Sequence, residues 1–209
     1  MKLYDYLPSG NSYKVRLLLA YLGKPYTHIP IDIHKGETLT PKYLALNPAG
    51  QIPLLQMDDG RVLAESNAIL TYLAESTDYL PTDKYARAKC LQWMFFEQSK
   101  LEPFISPARF FNYIVPSERD ARADDIAGWQ DAAKPGLDRL NTHLTGRKFM
   151  LASGYSIADI ALFGYVHVLD EAGLSLADYP MIARWIDDVS KTERFKPLNQ
   201  LGIETQRAA

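Results

Sequence analysis

The sequence contains one cysteine, Cys90, in 209 residues. A single cysteine excludes a disulfide within the chain and any cysteine-rich metal cluster. Cys90 lies in a helical pattern, where a lone cysteine is more often a small core residue than a nucleophile. A thiol-based reaction would therefore have to borrow its sulfur from a second molecule or use Cys90 alone.

The chain also lacks an excess of charge of one sign and a metal-binding pattern. Twenty-three basic and 25 acidic residues leave a net charge of −2 without a long run of either sign, so we expect no nucleic-acid partner. Zinc sites show paired histidine spacing, which His28, His34, His143 and His167 lack. We predict no metal site.

Long apolar segments are missing as well. The longest apolar run, residues 17–22, is far too short to span a bilayer. Residues 1–10 carry Asp5 and have no basic flank before an apolar stretch, as a secretory signal would need. We therefore expect a cytoplasmic protein that does not bind membranes.

The first third of the chain predicts a small domain with a mixed sheet. Alternating residues predict strands, helical spacing predicts helices, and the Asp59-Gly60 step predicts a hairpin turn between the last two strands. The predicted elements are strand 2–6, helix 13–22, strand 26–33, strand 52–57, strand 62–64 and a helix from about residue 66. The order βαβ followed by ββα defines a first domain of residues 1–76.

The remaining two thirds predict an all-helical domain. Turn residues without periodicity predict a linker over residues 77–84, and no strand pattern follows it. Helical spacing covers residues 85–111, 119–144, 157–172 and 181–192 of a second domain, residues 85–209. Within it, Ser156 and Asp159 form a capping-box pattern that begins a buried helix.

The loop Ser9-Gly10-Asn11-Ser12 joins the first strand to the first helix. Its hydroxyl and N–H groups gather at a helix N-terminus, where an anion such as a thiolate is stabilised. Ser9, Asn11 or Ser12 can equally serve only as the N-cap, because these residue types are preferred there.

Two further features suit recognition of an extended peptide. Pro53 stands at the start of a strand, where a cis Ile52-Pro53 bond would free the backbone groups of Ile52 to pair with a ligand. The alternative is an ordinary edge-strand proline.

Glu65 and Ser66 begin a helix and match the ammonium and carboxylate of an α-amino acid. A solvated acidic first turn with a serine cap is the alternative there.

The order and spacing of these features resemble the cytosolic glutathione transferase family. The shared pattern is a serine loop after the first strand, an NPxGxIP segment at residues 47–53, and Glu65-Ser66 at the start of a helix. The resemblance continues through the capping box to Tyr179-Pro180, Trp185 and Arg194, and it covers essentially the whole chain. It implies a thioredoxin-like domain (α/β), an all-α domain, glutathione as substrate and a homodimer.

The resemblance also implies roles for individual residues. Ile52 would bind the cysteinyl backbone of glutathione, cis Pro53 would shape the turn, and Glu65 and Ser66 would hold the γ-glutamyl end. Lys35 and Gln51 would reach the glycyl end.

The catalytic position is implied within the first loop. Family branches use tyrosine, serine or cysteine, and Ser9 is preferred here because Tyr4 and Tyr6 lie in the strand. The Ser9-x-Asn11 pattern is similar to the Thr-x-Asn loop of bacterial Nu-class enzymes, which reduce disulfides with glutathione, so Asn11 would share the work. Ser12 remains an alternative.

The second substrate, an electrophile or a disulfide, would lie against apolar residues. Arg109 would favour a second substrate that is anionic. The residues expected to line this pocket are Leu7, Phe104, Ala108, Phe111 and Tyr113. Packing within the helical core is the alternative for these aromatics. A glutathione-binding protein without catalysis and a glutathione-dependent isomerase also stay open, although zeta-type isomerases carry Ser-Ser-Cys where this chain has Ser9-Gly10-Asn11.

Overall fold

A computed structural model describes residues 1–201 and divides the chain into two compact units. The first unit consists of Met1–Glu75 together with the described residues from Thr192 onward, and the second is Ser76–Lys191. Within residues 1–201, no helix is long and apolar enough to cross a membrane.

The first unit is built on a four-stranded sheet. Its strands and helices are β1 (Lys2–Asp5), α1 (Gly10–Tyr21), β2 (Thr27–Pro30), α2 (Pro41–Leu44), β3 (Leu54–Gln56), β4 (Val62–Ala64) and α3 (Ser66–Ala74), with 3-10 turns at Ile33–Lys35 and Glu37–Leu39. The strand order is β2-β1-β3-β4. β1 pairs with β2 in parallel, and the other two pairings are antiparallel. The predicted thioredoxin-like arrangement is confirmed.

Apolar side chains close both faces of this sheet. Leu3 lies at the centre of β1, fully buried, opposite His28 on one side and Leu55 on the other. α1 packs against α3, and nearly every residue of α1 is buried. A separate apolar cluster of Ile31, Tyr43 and Leu54 lies under the segment that precedes β3. The strands thus hold the loops at their ends in fixed positions.

The second unit is helical, as predicted. Its helices are α4 (Lys84–Lys100), α5 (Glu102–Arg109), a π-helical turn (Phe110–Ile114), α6 (Ala123–His143), α7 (Ile157–Val166) and α8 (Pro180–Ser190), with 3-10 turns at Pro116–Glu118, Asp120–Arg122, Leu169–Ala172 and Leu176–Asp178. Every residue of α7 is buried.

The predicted capping box begins α7. The Ser156 side chain accepts a hydrogen bond from the helix backbone, and Asp159 Oδ2 accepts from Ser156 N at 3.0 Å. Asp159 Oδ1 also accepts from Met150 N at 2.9 Å and from Trp185 Nε1 at 3.0 Å. One buried carboxylate therefore ties the start of α7 to a preceding loop and to α8.

The segment from Thr192 packs with the first unit, whereas we expected it in the helical domain. Tyr13 Oη donates to the carbonyl oxygen of Lys196 at 2.6 Å, and Arg16 donates to that of Leu198 at 3.0 Å. Tyr21 Oη and Thr192 Oγ1 are 2.7 Å apart. Polar groups on α1 thus bind this segment, although its sequence has no periodic pattern to indicate that position.

Candidate functional site

The loop between β1 and α1 provides the polar groups predicted to act on a thiol. α1 begins at Gly10, three residues before the predicted start, so Ser9 is the N-cap and its Oγ accepts a hydrogen bond from Ser12 N at 3.2 Å. Because the cap uses a lone pair of the hydroxyl, its O–H can still donate elsewhere. Ser9 and Asn11 are partly exposed.

Ser12 is oriented differently from its neighbours in the loop. Its side chain is fully buried in the first turn of α1. A ligand at the mouth of the loop therefore meets Ser9 and Asn11, and the structure gives no support to Ser12 as the thiol contact.

Asn11 joins this loop to the start of α3. Its Oδ1 accepts a hydrogen bond from Lys14 Nζ at 2.8 Å and another from Ser66 Oγ at 3.3 Å. The predicted thiol loop and the predicted γ-glutamyl position thus lie within one hydrogen bond of each other, although 55 residues separate them in sequence.

Glu65 precedes α3 in an uncommon backbone conformation. Its φ is 67° and its ψ is 111°, and its side chain is exposed and makes no capping hydrogen bond. A non-glycine residue at positive φ costs of order 1–3 kcal/mol and is found preferentially at binding sites. The exposed carboxylate and the N–H groups of the next helical turn can receive an ammonium and a carboxylate, respectively.

The peptide bond between Ile52 and Pro53 is cis. Strand β3 begins only at Leu54, so Ile52 lies outside the sheet ladder and packs its side chain on the apolar cluster under this segment. The Gln51 carbonyl accepts hydrogen bonds from Tyr43 Oη at 2.7 Å and from Asn47 Nδ2 at 2.8 Å, while its side chain is exposed. These two bonds hold the backbone directly before Ile52.

Lys35 is at the surface of the first unit, at the end of a 3-10 turn. Its Nζ lies 3.0 Å from Asp32 Oδ2, and its side chain is 76% exposed. Hydrogen bonding to Asp32 raises the pKa of Lys35, so the ammonium stays charged at neutral pH. At such exposure the pair constrains the side chain weakly, which leaves Lys35 able to turn toward an anion.

The residues predicted for a second-substrate pocket have different surroundings. Leu7 lines a cavity of about 420 Å³ in the first unit with Tyr6, Pro8 and His34. In the second unit, Phe104 is half-buried and Tyr113 is 57% exposed.

Two of the predicted pocket residues are engaged in packing within the helical unit. Ala108 is fully buried, so its methyl group contacts the interior and not an open pocket. Phe111 stacks on Trp129 with ring centroids 5.9 Å apart, and the Arg122 guanidinium lies over the Phe111 ring, 5.1 Å from its centroid. Arg109 is 3% exposed and donates to Glu171 Oε2 at 2.6 Å, which removes the basis for expecting it to attract an anionic substrate.

A larger cavity, about 820 Å³, lies in the second unit, and none of the predicted pocket residues lines it. Its wall includes Trp93 and His143, whose rings are 4.3 Å apart, and the basic residues Lys89, Arg139 and Arg147. Sequence periodicity did not indicate this cavity, because its residues come from α4 and from the end of α6 with the loop that follows it, and these two segments are distant in sequence.

Cys90 is fully buried, and its burial raises the pKa of the thiol to about 11. A thiol with that pKa holds almost no thiolate at neutral pH. Cys90 is therefore better interpreted as a core residue than as a nucleophile. In the described residues, no group of histidine, cysteine or acidic side chains has the arrangement of a metal site.

Comparison with known proteins identifies the family. Residues 1–75 match the model of the glutathione S-transferase N-terminal domain, and residues 120–188 match that of the C-terminal domain. The chain belongs to the glutathione S-transferase family. The structure is similar to that of a glutathione S-transferase from Pseudomonas fluorescens, with a TM-score of 0.92 and 40% identity over 95% of this chain and 98% of that one.

Two other proteins similar to the chain are named for an activity or a bound ligand. The chain is 31% identical to the disulfide-bond oxidoreductase YfcG of Escherichia coli, over 86% of each protein. It is also similar to a glutathione transferase from Pseudomonas putida that was crystallised with one glutathione disulfide bound per subunit. That similarity has a TM-score of 0.78 and 30% identity over 92% of this chain and 87% of that one.

Proposed function

We propose that the chain is a glutathione transferase that activates the glutathione thiol as a thiolate for attack on an electrophilic small molecule. The observation that carries the proposal is the hydrogen bond between Ser66 and Asn11. It brings the loop proposed to act on the thiol next to the start of α3, which suits the α-amino and carboxylate groups of the γ-glutamyl residue. In this proposal, residues 1–76 hold glutathione, residues 77–84 form the linker, and the helices between residue 85 and Lys191 receive the second substrate.

Glutathione would lie along the loops at the ends of the strands. The backbone of Ile52 would pair with the cysteinyl residue as an added strand does, with cis Pro53 directing the turn. Ser66 and the N–H groups of α3 would bind the γ-glutamyl carboxylate, while Glu65 would bind its ammonium. Lys35 and Gln51, both exposed, would reach the glycyl end.

Ser9 and Asn11 would stabilise the sulfur anion. A free thiol has a pKa of about 8.5, and lowering it by about two units corresponds to roughly 2.7 kcal/mol. A charge-assisted hydrogen bond from the Ser9 hydroxyl contributes about 1.5–3 kcal/mol. The Asn11 amide and the N-terminal end of α1, whose first turn contains no acidic residue, add to this stabilisation.

The test is turnover of a model aromatic electrophile with glutathione in wild type, Ser9→Ala and Asn11→Ala. We expect both variants to bind glutathione and to lose about tenfold or more in kcat, with a raised apparent pKa of the bound thiol. Ser175→Ala is a matched control, because Ser175 caps a short turn in the second unit. Unchanged turnover in both loop variants would sink the proposal, and binding without turnover in wild type would indicate a glutathione-binding protein.

A second candidate function is reduction of small disulfides by glutathione. Asn11, two residues after Ser9 as in the Thr-x-Asn loop, favours this function. In this reaction the thiolate attacks one sulfur of the disulfide, the S–S bond breaks, and the departing thiolate takes a proton. A second glutathione then attacks the mixed disulfide, so two glutathiones are oxidised to glutathione disulfide while the substrate is reduced to two thiols.

The two reactions are separated by the same variants. Disulfide turnover that falls in both Ser9→Ala and Asn11→Ala, with little electrophile conjugation in wild type, would favour the reductase. Conjugation that falls in both variants, with little disulfide turnover in wild type, would favour the transferase. The isomerase alternative is tested with a cis-olefinic diacid, for which we expect no glutathione-dependent conversion.

We also propose that the protein forms a homodimer. Several large apolar side chains are exposed on the isolated chain, including Tyr72 at 48%, Tyr85 at 72% and Phe95 at 71%. Sedimentation velocity should give twice the mass of one chain, and a monomer at micromolar concentration would contradict the proposal.

A further inference from the structure

Lys14 is a buried cation in the first helix. Its side chain is fully buried in α1, one turn after the loop, and its Nζ donates to Asn11 Oδ1 at 2.8 Å. Burial of an ammonium group is costly unless hydrogen bonds compensate it.

The position of Lys14 in α1 does not explain its charge either. Cations are favoured near the C-terminus of a helix and anions near its N-terminus, because of the helix dipole. Lys14 is the fifth residue of α1, which begins at Gly10. The helix dipole therefore does not favour a lysine at this position.

The contact between Lys14 and Asn11 fixes the orientation of the Asn11 amide. An asparagine amide has an acceptor oxygen and a donor NH₂ group, and either can face a given neighbour. Lys14 Nζ and Ser66 Oγ both donate to Oδ1, at 2.8 and 3.3 Å. An ammonium has only donors, so an amide flipped by 180° would set donor against donor. The NH₂ group must therefore face away from Lys14.

We propose that Lys14 is a positioning residue for thiol activation: it holds the Asn11 amide so that its NH₂ group faces the sulfur of bound glutathione. The inference rests on the proposed function, because it takes Asn11 as a donor to the thiolate. Lys14 itself does not touch the substrate. It acts by excluding the amide orientation that would present an oxygen to the anion.

The experiment compares steady-state kinetics of Lys14→Met with Lys24→Met, which makes the same chemical change at an exposed lysine just after α1. We expect Lys14→Met to lose about tenfold or more in kcat, as misplaced catalytic groups do, with less than a twofold change in KM for glutathione. Lys24→Met should match wild type. A raised KM at unchanged kcat would overturn the inference, because Lys14 would then bind glutathione without acting through Asn11.

The double variant Asn11→Ala/Lys14→Met isolates the interaction. If Lys14 acts only through the Asn11 amide, its loss should change kcat less than twofold in the Asn11→Ala background. An effect as large as in the wild-type background would overturn the inference. If Asn11→Ala alone leaves turnover unchanged, the proposed role of Asn11 fails instead, so the two failures are distinguishable.

A neutral donor tests the role independently of charge burial. Lys14→Gln retains N–H groups directed at Asn11 Oδ1, and we expect its kcat to recover to within about threefold of wild type. This variant decides the question if Lys14→Met does not fold, as judged by circular dichroism. A folded Lys14→Gln variant with the same low kcat as Asn11→Ala would overturn the inference.

Discussion

Asp159 should be one of the most sensitive positions for stability in the helical unit. Its carboxylate is fully buried and accepts hydrogen bonds from Met150 N, Ser156 N and Trp185 Nε1 at 2.9–3.0 Å, and from Ser156 Oγ at 3.2 Å. Asp159→Ala removes the acceptor for all four. The three N–H donors belong to buried residues, which have little access to water as a replacement.

The expected loss follows from these donors. Each buried donor left without an acceptor costs about 1–3 kcal/mol, and removal of a buried carboxylate returns part of that sum. We therefore expect Asp159→Ala to lower the free energy of unfolding by about 3–5 kcal/mol. At about 2–4 °C per kcal/mol for a chain of this size, the midpoint should fall by roughly 6–20 °C.

Urea and thermal unfolding, followed by circular dichroism, measure this loss. Asp159→Asn keeps one carbonyl acceptor but directs an NH₂ group at other donors, so its loss should be intermediate. Asp131→Ala is the control, because Asp131 is exposed and paired only at the surface, and we expect no measurable change. A loss below about 1 kcal/mol for Asp159→Ala would refute the claim that these bonds stabilise the unit.

Two further predictions concern the helical unit. Burial lowers the pKa of His167 to about 4 from about 6.5 in the unfolded chain, so the unfolded state binds more protons as pH falls through this range. Between pH 7 and 4.5, the free energy of unfolding measured in urea should fall by roughly 2–3 kcal/mol more for wild type than for His167→Gln. Equal losses in the two proteins would contradict this prediction. A Cβ at Gly136 would lie 2.8 Å from the carbonyl oxygen of Lys100, whereas one at Gly128 meets nothing within 4 Å. Gly136→Ala should lower stability by about 1–3 kcal/mol and Gly128→Ala should raise it by up to about 1 kcal/mol, and equal shifts in thermal midpoint would contradict the close packing.

Local patterns predicted much of the fold because they depend on neighbouring residues. The Ser156 capping box and the Asp59-Gly60 turn specify their structure within four or five positions, and each is present in the structure. The alternation of apolar residues likewise indicated β1 and β2, and the Asp59-Gly60 turn indicated β3 and β4 on either side of it. The ends of the strands were predicted less accurately. The predicted strands 26–33 and 52–57 are shorter in the structure, where they cover Thr27–Pro30 and Leu54–Gln56.

The candidate site was less accessible from the sequence because its groups meet through the fold. The Asn11–Ser66 contact joins α1 to α3, which are distant in sequence, and neither this contact nor the positive φ of Glu65 has a local sequence signal. Burial of Ala108 depends on the packing of several helices, and helical spacing alone did not distinguish the core face from a pocket wall. The spacing of Asn11 and Lys14, three residues apart in a helix, is the one signal that could have indicated their pairing.

The first unit is assembled from two segments that flank the whole helical unit in sequence. The Arg16 guanidinium donates to Asp5, to the Leu7 carbonyl and to the Leu198 carbonyl, so one of these three acceptors comes from the segment after the helical unit. During synthesis the ribosome must therefore make all of Ser76–Lys191 before the last acceptor of this buried cation exists. The first unit is therefore completed only after the helical unit has been translated, and its stability depends on residues that follow the helical unit in sequence.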